Sequence, residues 1–253
     1  MDAKIDIKTA GRTLDVFEAF EAIKKPTTLS ELAAYIGAPV SSCHGLVRTL
    51  RNRGYLYSVG GRSSLYPTKR LLEVATTIAA NDPILEQVGP MLAALRDETQ
   101  ETVILGKRQD SEVVYLEVVE GLHTIRYAAN PGKLVPLYSS AIGKSILGQM
   151  NPTELGRVFD GLELSSITDK TLTSTDALLA DVNAGRERGY FVTRGENVTD
   201  VMAVARTVRL GSNLIGIAIA GPLHRMSANV DAYAASLTET CRQIEDSVGM
   251  PDR

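Results

Sequence analysis

The chain has 253 residues, 44% hydrophobic and 23% charged, with two cysteines and a formal net charge of −3. These values fit a globular protein of one large or two small domains and exclude collagen, coiled-coil and disordered classes. No apolar run reaches the roughly 18 residues of a membrane span, and the amino terminus is charged rather than an apolar signal core. Cys43 and Cys241 form no CxxC pair, so we expect a cytoplasmic protein with no membrane partner, disulfide framework or thiolate metal site.

The charge is unevenly spread. Residues 1–72 carry 11 Lys and Arg against 6 Asp and Glu, a balance of +5, which leaves −8 for residues 73–253. A basic module on an acidic body suits a polyanionic partner.

Three short helical patterns open the chain. The first, from Thr9, sets Leu14, Phe17, Phe20 and Ile23 on one stripe. The second starts where Thr28-Leu29-Ser30-Glu31 satisfies the capping-box pattern, and it ends at Gly37 after Leu32, Ala33 and Ile36. The third follows Pro39 and runs to about Arg53, with Gly54 as its C-cap. Only residues 37–40 separate the last two, the length of a helix-turn-helix connection. Two β-prone runs, 55–59 and 62–66, flank Gly60-Gly61 and predict a hairpin. Helix, turn, helix and hairpin make a winged helix-turn-helix over residues 1–67. Leu71, Leu72, Ala75, Ile78 and Ala79 then repeat at helical spacing, giving a linker helix within 68–83 that Asp82-Pro83 ends.

Residues 84–253 form the second domain. A long helix over 84–100 is expected to kink at Gly89-Pro90, because proline removes a helical hydrogen bond. Strands follow at 102–107, 112–119 and 124–129, then helices at 140–150, 153–159 and 176–188. Strands at 190–194, 201–210 and 214–221 precede a final helix over 229–248. Hairpin-sized spacing between strands implies a mainly antiparallel sheet with helices against it, an α+β fold.

The third helix carries the chemistry for DNA. Cys43, Leu46, Val47 and Leu50 fall at i, i+3, i+4 and i+7 and form its buried stripe. Ser41, Ser42, His44, Gly45, Arg48, Arg51 and Asn52 remain outward, donors and cations with no carboxylate among them. Such a helix fits a major groove, where arginine grips guanine or backbone oxygens and serine meets base edges or phosphate. Arg62 at the hairpin tip would reach a flanking phosphate. Any solvated helix has a polar face; the capping box, short turn, hairpin and charge asymmetry together turn this one into a DNA reader.

Enzyme readings find little support, and no catalytic residue is assigned. His44, His123 and His224 are isolated, with no HExxH or paired carboxylate at metal-ligand spacing. Gly143-Lys144-Ser145 resembles the end of a phosphate loop, but Tyr138 stands where that loop needs its first glycine, and Lys144 is expected on a solvated or interface face. No GxSxG elbow occurs, and Ser139-Ser140 reads as a helix N-cap. The expectation is a non-enzyme without cofactor or metal. The rivals are a small-molecule enzyme on the second domain or an interaction protein that never touches DNA.

In the strand 214–221, Ile215, Ile217 and Ile219 share one face while Gly216, Ala218 and Ala220 share the other; Val201, Ala203 and Ala205 lie opposite Met202, Val204 and Arg206. One face is packed and the other carries small side chains, which either let a helix approach closely or leave a cavity.

Several segments together resemble the IclR family of transcriptional regulators: Arg12 to Phe17, Gly37 to His44, Arg48-Thr49-Leu50 with Arg53-Gly54-Tyr55, Pro136 to Lys144, Arg188-Gly189-Tyr190, and Ala220-Gly221-Pro222 with Arg225. The resemblance covers almost the whole chain. It implies a winged helix-turn-helix joined by a linker helix to a GAF-like effector and oligomerisation domain, acting on double-stranded operator DNA as a homodimer or dimer of dimers. It also favours the cavity, placing effector contacts at Tyr127, Ala141, Ile142, Thr193, Val201, Ala203, Ala218 and Ala220. Two departures stand out. Gly45 replaces an arginine common after the recognition-helix histidine. Thr193, Ala203, Ala218 and Ala220 replace an aspartate, a cysteine and two serines, which makes the pocket less polar. An anion buried without donors costs several kcal/mol, so the expected effector is a small aromatic or partly apolar carboxylate-type molecule. Arg126 and Arg194 are either its anchors or merely exposed strand residues.

Overall fold

The capping box at Thr28 is formed in both directions. The Thr28 hydroxyl accepts the Glu31 N–H at 3.3 Å, and the Glu31 carboxylate accepts the Thr28 N–H at 2.8 Å. The computed structural model describes residues 7–60 and 64–248, which divide into two units between Asp82 and Pro83.

The first unit holds α1 (Lys8–Ile23), β1 (Thr27–Thr28), α2 (Leu29–Tyr35), α3 (Val40–Asn52), β2 (Leu56–Val59), β3 (Ser64–Pro67) and α4 (Arg70–Ala79). Its small sheet has the order β1-β3-β2, antiparallel throughout. The spacing predicts the hairpin β2–β3 but not β1, whose two threonines extend the chain into the cap, Thr28 itself. Gly37 and Gly54, at φ +60° and +77°, close α2 and α3 in the left-handed region that other residues enter at a cost.

The core of this unit is Val16, Ala19 and Phe20 of α1, Leu32 and Ala33 of α2, Cys43, Val47 and Leu50 of α3, and Leu56 and Leu65 of the hairpin. Leu14 does not join it and is 63% exposed. At 100° per residue the buried stripe of α1 is 16, 19 and 20, with Ile23 half-buried beside it, and Leu14 points away. None of the residues of α4 is buried.

The second unit contains α5 (Pro83–Thr99), β4 (Thr102–Gln109), β5 (Glu112–Val119), β6 (Leu134–Pro136), α6 (Ala141–Leu147), α7 (Pro152–Asp160), α8 (Thr175–Arg188), β7 (Phe191–Arg194), β8 (Val201–Leu210), β9 (Asn213–Pro222), α9 (Leu223–Ala228) and α10 (Val230–Val248). Helix α5 runs unbroken through Pro90. Six strands form one antiparallel sheet, ordered β6-β5-β4-β9-β8-β7. The fold is α+β, as the strand spacing required.

The two faces of this sheet carry separate cores. Val88, Leu92 and Leu95 of α5 and Leu237, Cys241 and Ile244 of α10 pack on the face of Met202, Val204, Ile215, Ile217 and Ile219. The other face carries Ile104, Tyr115, Ala205, Ala218 and Ala220 beneath Ala141, Ile142 and Ile146 of α6. A Cβ on Gly216 would meet Ile142 Cγ2 at 2.4 Å, so this glycine is what lets α6 lie on the sheet.

The expected strand at 124–129 does not form; residues 120–133 are irregular. Side chains instead satisfy their backbone. Thr102 Oγ1 accepts the Gly121 N–H and donates to the Tyr127 carbonyl at 2.6 Å, Arg96 donates to the Glu120 carbonyl, and Arg225 to that of Ile125. Backbone groups met this way need no partner strand.

Candidate nucleic-acid interface and effector pocket

Helix α3 turns Cys43, Val47 and Leu50 into the core, with Leu46 half-buried, and leaves Ser41, Ser42, His44, Gly45, Arg48, Arg51 and Asn52 exposed. Its first turn has no acidic residue. Arg48, Arg51 and Ser58 of β2 together line two adjoining surface grooves, so α3 and the hairpin border the same space. Arg62 lies outside the described residues.

The second unit contains a recess of about 430 Å³ of atom-free space, counting the part open to solvent. The antiparallel register builds its floor. Thr193 pairs with Ala203, Ala203 with Ala220 and Ala220 with Thr102, while Ile104 pairs with Ala218 in the neighbouring row. Small side chains along these rows leave space where larger ones would fill it. The amino-terminal residues of α6, Ala141 and Ile142, close one side, and Tyr127 closes another.

All eight positions matched by resemblance therefore come together: Tyr127, Ala141, Ile142, Thr193, Val201, Ala203, Ala218 and Ala220 line this recess. The two readings of small residues divide by position, since Gly216 accepts the helix and the three alanines border the space. Arg194 does not line it. A strand alternates faces, so with Thr193 turned inward Arg194 falls on the opposite face and is exposed. Arg126 is bound to Glu120 at 2.6 Å on the surface. Neither arginine is placed to anchor a ligand within the recess.

Sequence reasoning missed Ile104, Tyr115, Ser139, Asn197 and Val198 among the lining residues. Ser140 was read only as a cap; it fills that role, accepting the Gly143 N–H at 3.1 Å, and lines the recess as well. Alternation along the strand 112–119 contained a signal for Tyr115. No local pattern points to Asn197, because its place follows from the path of residues 195–200.

Lys144 corrects another expectation. It is fully buried rather than solvated, its ammonium 2.7 Å from Asp181 Oδ2 of α8 and 2.5 Å from Glu196 Oε2. Burial pushes the Glu196 carboxyl above the usual carboxylate range, while the Lys144 charge and hydrogen bond pull it back. Thr171 donates to the Glu196 carbonyl at 2.7 Å and Thr168 to that of Gly195 at 2.6 Å. These bonds fix the segment that carries Asn197 and Val198 into the recess. No group of His, Cys, Asp and Glu among the described residues is arranged to hold a metal ion, and no helix among them is long and apolar enough to cross a membrane.

A helix-turn-helix with an exposed cationic helix face, followed by an α+β domain with a lined recess, defines a class of transcriptional regulator. The chain belongs to the IclR family: the model of the IclR helix-turn-helix domain matches residues 9–60, and that of the bacterial transcriptional regulator IclR C-terminal domain matches residues 76–246. It is a DNA-binding regulator and not an enzyme. It is 31% identical over 247 residues to the regulator KipR of Bacillus subtilis (strain 168), covering 96% of this chain and 97% of that protein. It is 27% identical over 244 residues to KdgR of Escherichia coli (strain K12), covering 94% and 93%. Its structure resembles that of the Thermotoga maritima IclR, with a TM-score of 0.81 at 25% identity over 97% of this chain and 100% of that one. It shares its fold with an IclR homolog from Microbacterium hydrocarbonoxydans complexed with 4-hydroxybenzoate, with a TM-score of 0.76 at 20% identity over 95% of this chain and 98% of that one.

Proposed function

We propose that this regulator reads operator DNA through α3 and answers to a small, partly apolar organic effector held in the recess of its second unit. The observation that carries the reading is the exposed, carboxylate-free face of α3. Arg48 and Arg51 take guanine edges or phosphates, and Ser41, Ser42, His44 and Asn52 complete the contacts.

For the effector, two phenols, aliphatic side chains and alanines surround the recess, with Ser139, Ser140, Thr193 and Asn197 as neutral polar groups. This lining favours an aromatic or partly apolar body with one carboxylate-type end. The fold relative bound to 4-hydroxybenzoate supports the same class. The controlled genes are then those of a catabolic operon, in the cytoplasm.

Helix α4 presents Leu71, Leu72, Val74 and Ile78 to solvent, an apolar stripe that a second copy would cover in a homodimer or dimer of dimers. Two reading helices then meet successive major grooves, and the operator is a pseudo-palindrome with half-sites one helical turn, or a multiple of it, apart. Effector binding shifts the spacing of the two heads; a differential affinity of about 1–3 kcal/mol between states suffices to change occupancy.

Mobility shift with fragments from upstream of the chain's own gene, at low and high salt, tests the DNA half. Retarded complexes that weaken steeply with salt are expected. Indifference to every such fragment at low ionic strength would end this reading. Calorimetric titration tests the effector half, and tight binding of small dicarboxylates alone contradicts it.

A further inference from the structure

The recess has a directional hydrogen-bond string at its phenolic end. The half-buried Lys133 ammonium donates to Tyr127 Oη at 3.2 Å and stands 5.4 Å from the centre of that ring. Tyr115, which also lines the recess, is buried beside Tyr127, and this burial together with the neighbouring phenol pushes its hydroxyl above the usual range. The backbone fixes the arrangement: the Tyr115 N–H donates to the Lys133 carbonyl at 2.9 Å, and the Gly132 N–H donates to the Tyr115 carbonyl at 2.7 Å.

An ammonium has donors and no acceptor. Tyr127 Oη must therefore accept from Lys133 and pass its own proton onward, either into the recess or to Tyr115 Oη. In the second case the Tyr115 proton is the one left over. Tyr115 and Tyr127 both line the recess, and among the described residues no carboxylate does, so in both arrangements the string ends on a phenolic O–H at the recess.

We infer that Lys133 is a specificity-determining, positioning residue of the effector pocket: by donating to Tyr127 it makes the phenolic end an obligate donor that selects a ligand with an acceptor there, a carboxylate or carbonyl oxygen, and rejects an amine. This rests on the recess being the effector site.

Three probes of one shape separate the outcomes: benzoate, benzamide and benzylamine, titrated into the full-length protein by calorimetry or saturation-transfer NMR. Benzoate is expected to bind roughly tenfold or more tightly than benzylamine, with benzamide between them. Lys133→Met keeps the aliphatic stem and should erase most of that preference without changing the melting temperature of the free protein, while Lys133→Arg should restore it. Binding of all three probes without discrimination, or a preference that survives Lys133→Met, overturns the role of Lys133 and leaves the pocket standing. If none of the probes binds, or if Ala218→Phe leaves their binding unchanged, both the pocket and this inference are overturned.

Discussion

Lys144 and Glu196, 52 residues apart in the chain, meet at 2.5 Å in the interior of the second unit. The lysine ties α6 to the segment that carries Asn197 and Val198, and Asp181 holds the same ammonium from α8. An ordinary surface ion pair adds little to stability, but a buried one leaves an uncompensated charge when a partner is lost.

Lys144→Met should therefore destabilise the second unit by about 3–5 kcal/mol, read as a lower denaturation midpoint. The loss should shrink as pH falls. The folded-state pKa of Glu196 already lies above its ordinary value, so its ionised form disfavours folding as pH rises from the unfolded carboxylate pKa through the raised one. Removing Lys144 raises that pKa further, and acid relieves the cost by neutralising the carboxyl. A penalty that is the same at pH 5 and pH 7.5 would contradict this account.

Arg48→Ala and Arg51→Ala should each weaken operator binding and together abolish specific retardation. If each cation neutralises one phosphate, the slope of log affinity against log salt falls by about 0.9 per substitution. If one of them instead grips a guanine, its loss leaves the slope nearly unchanged and relaxes the sequence preference at a cost of about 1–3 kcal/mol. Salt titrations of the single variants distinguish these roles.

Gly45 sits in the exposed face of α3 with nothing within 4 Å of the place a Cβ would occupy. Gly45→Ala should stabilise the helix by about 1 kcal/mol from propensity alone, seen as a higher melting temperature for the first unit. Gly45→Arg should in addition steepen the salt dependence of DNA binding and alter the preferred operator sequence.

Ala218→Phe should fill the recess over the floor that Ala218 and Ile104 share. Overpacking of this kind costs about 1–3 kcal/mol. The effector response of DNA binding should vanish, while effector-free DNA binding should persist, because the substitution leaves every residue of α3 unchanged. Fluorescence anisotropy on an operator fragment measures both quantities.

Much of the candidate DNA site was legible in the residues because it is local. Thr28 and Glu31 are three apart, the stripe of α3 follows the helical period, and its outward face is whatever that stripe leaves behind. The pocket floor was legible for a similar reason: alternation along 201–210 and 214–221 separates isoleucines from alanines whatever the strands pair with. Leu14 shows the limit of such counting, since two stripes of α1 satisfy the spacing and only packing selects 16, 19 and 20.

Sequence by itself thus determined the element types, the capping box, the polar face of α3 and the two-faced sheet, all of which depend on neighbours a few residues apart. The fold decided the rest, because it depends on groups brought together across the chain. Antiparallel register turned Thr193 into the recess and Arg194 out of it. Side-chain hydrogen bonds from Thr102, Arg96 and Arg225 removed the need for a strand at 124–129. Carboxylates from two distant segments drew Lys144 out of water, and a desolvated charge needs partners that no short window of residues contains.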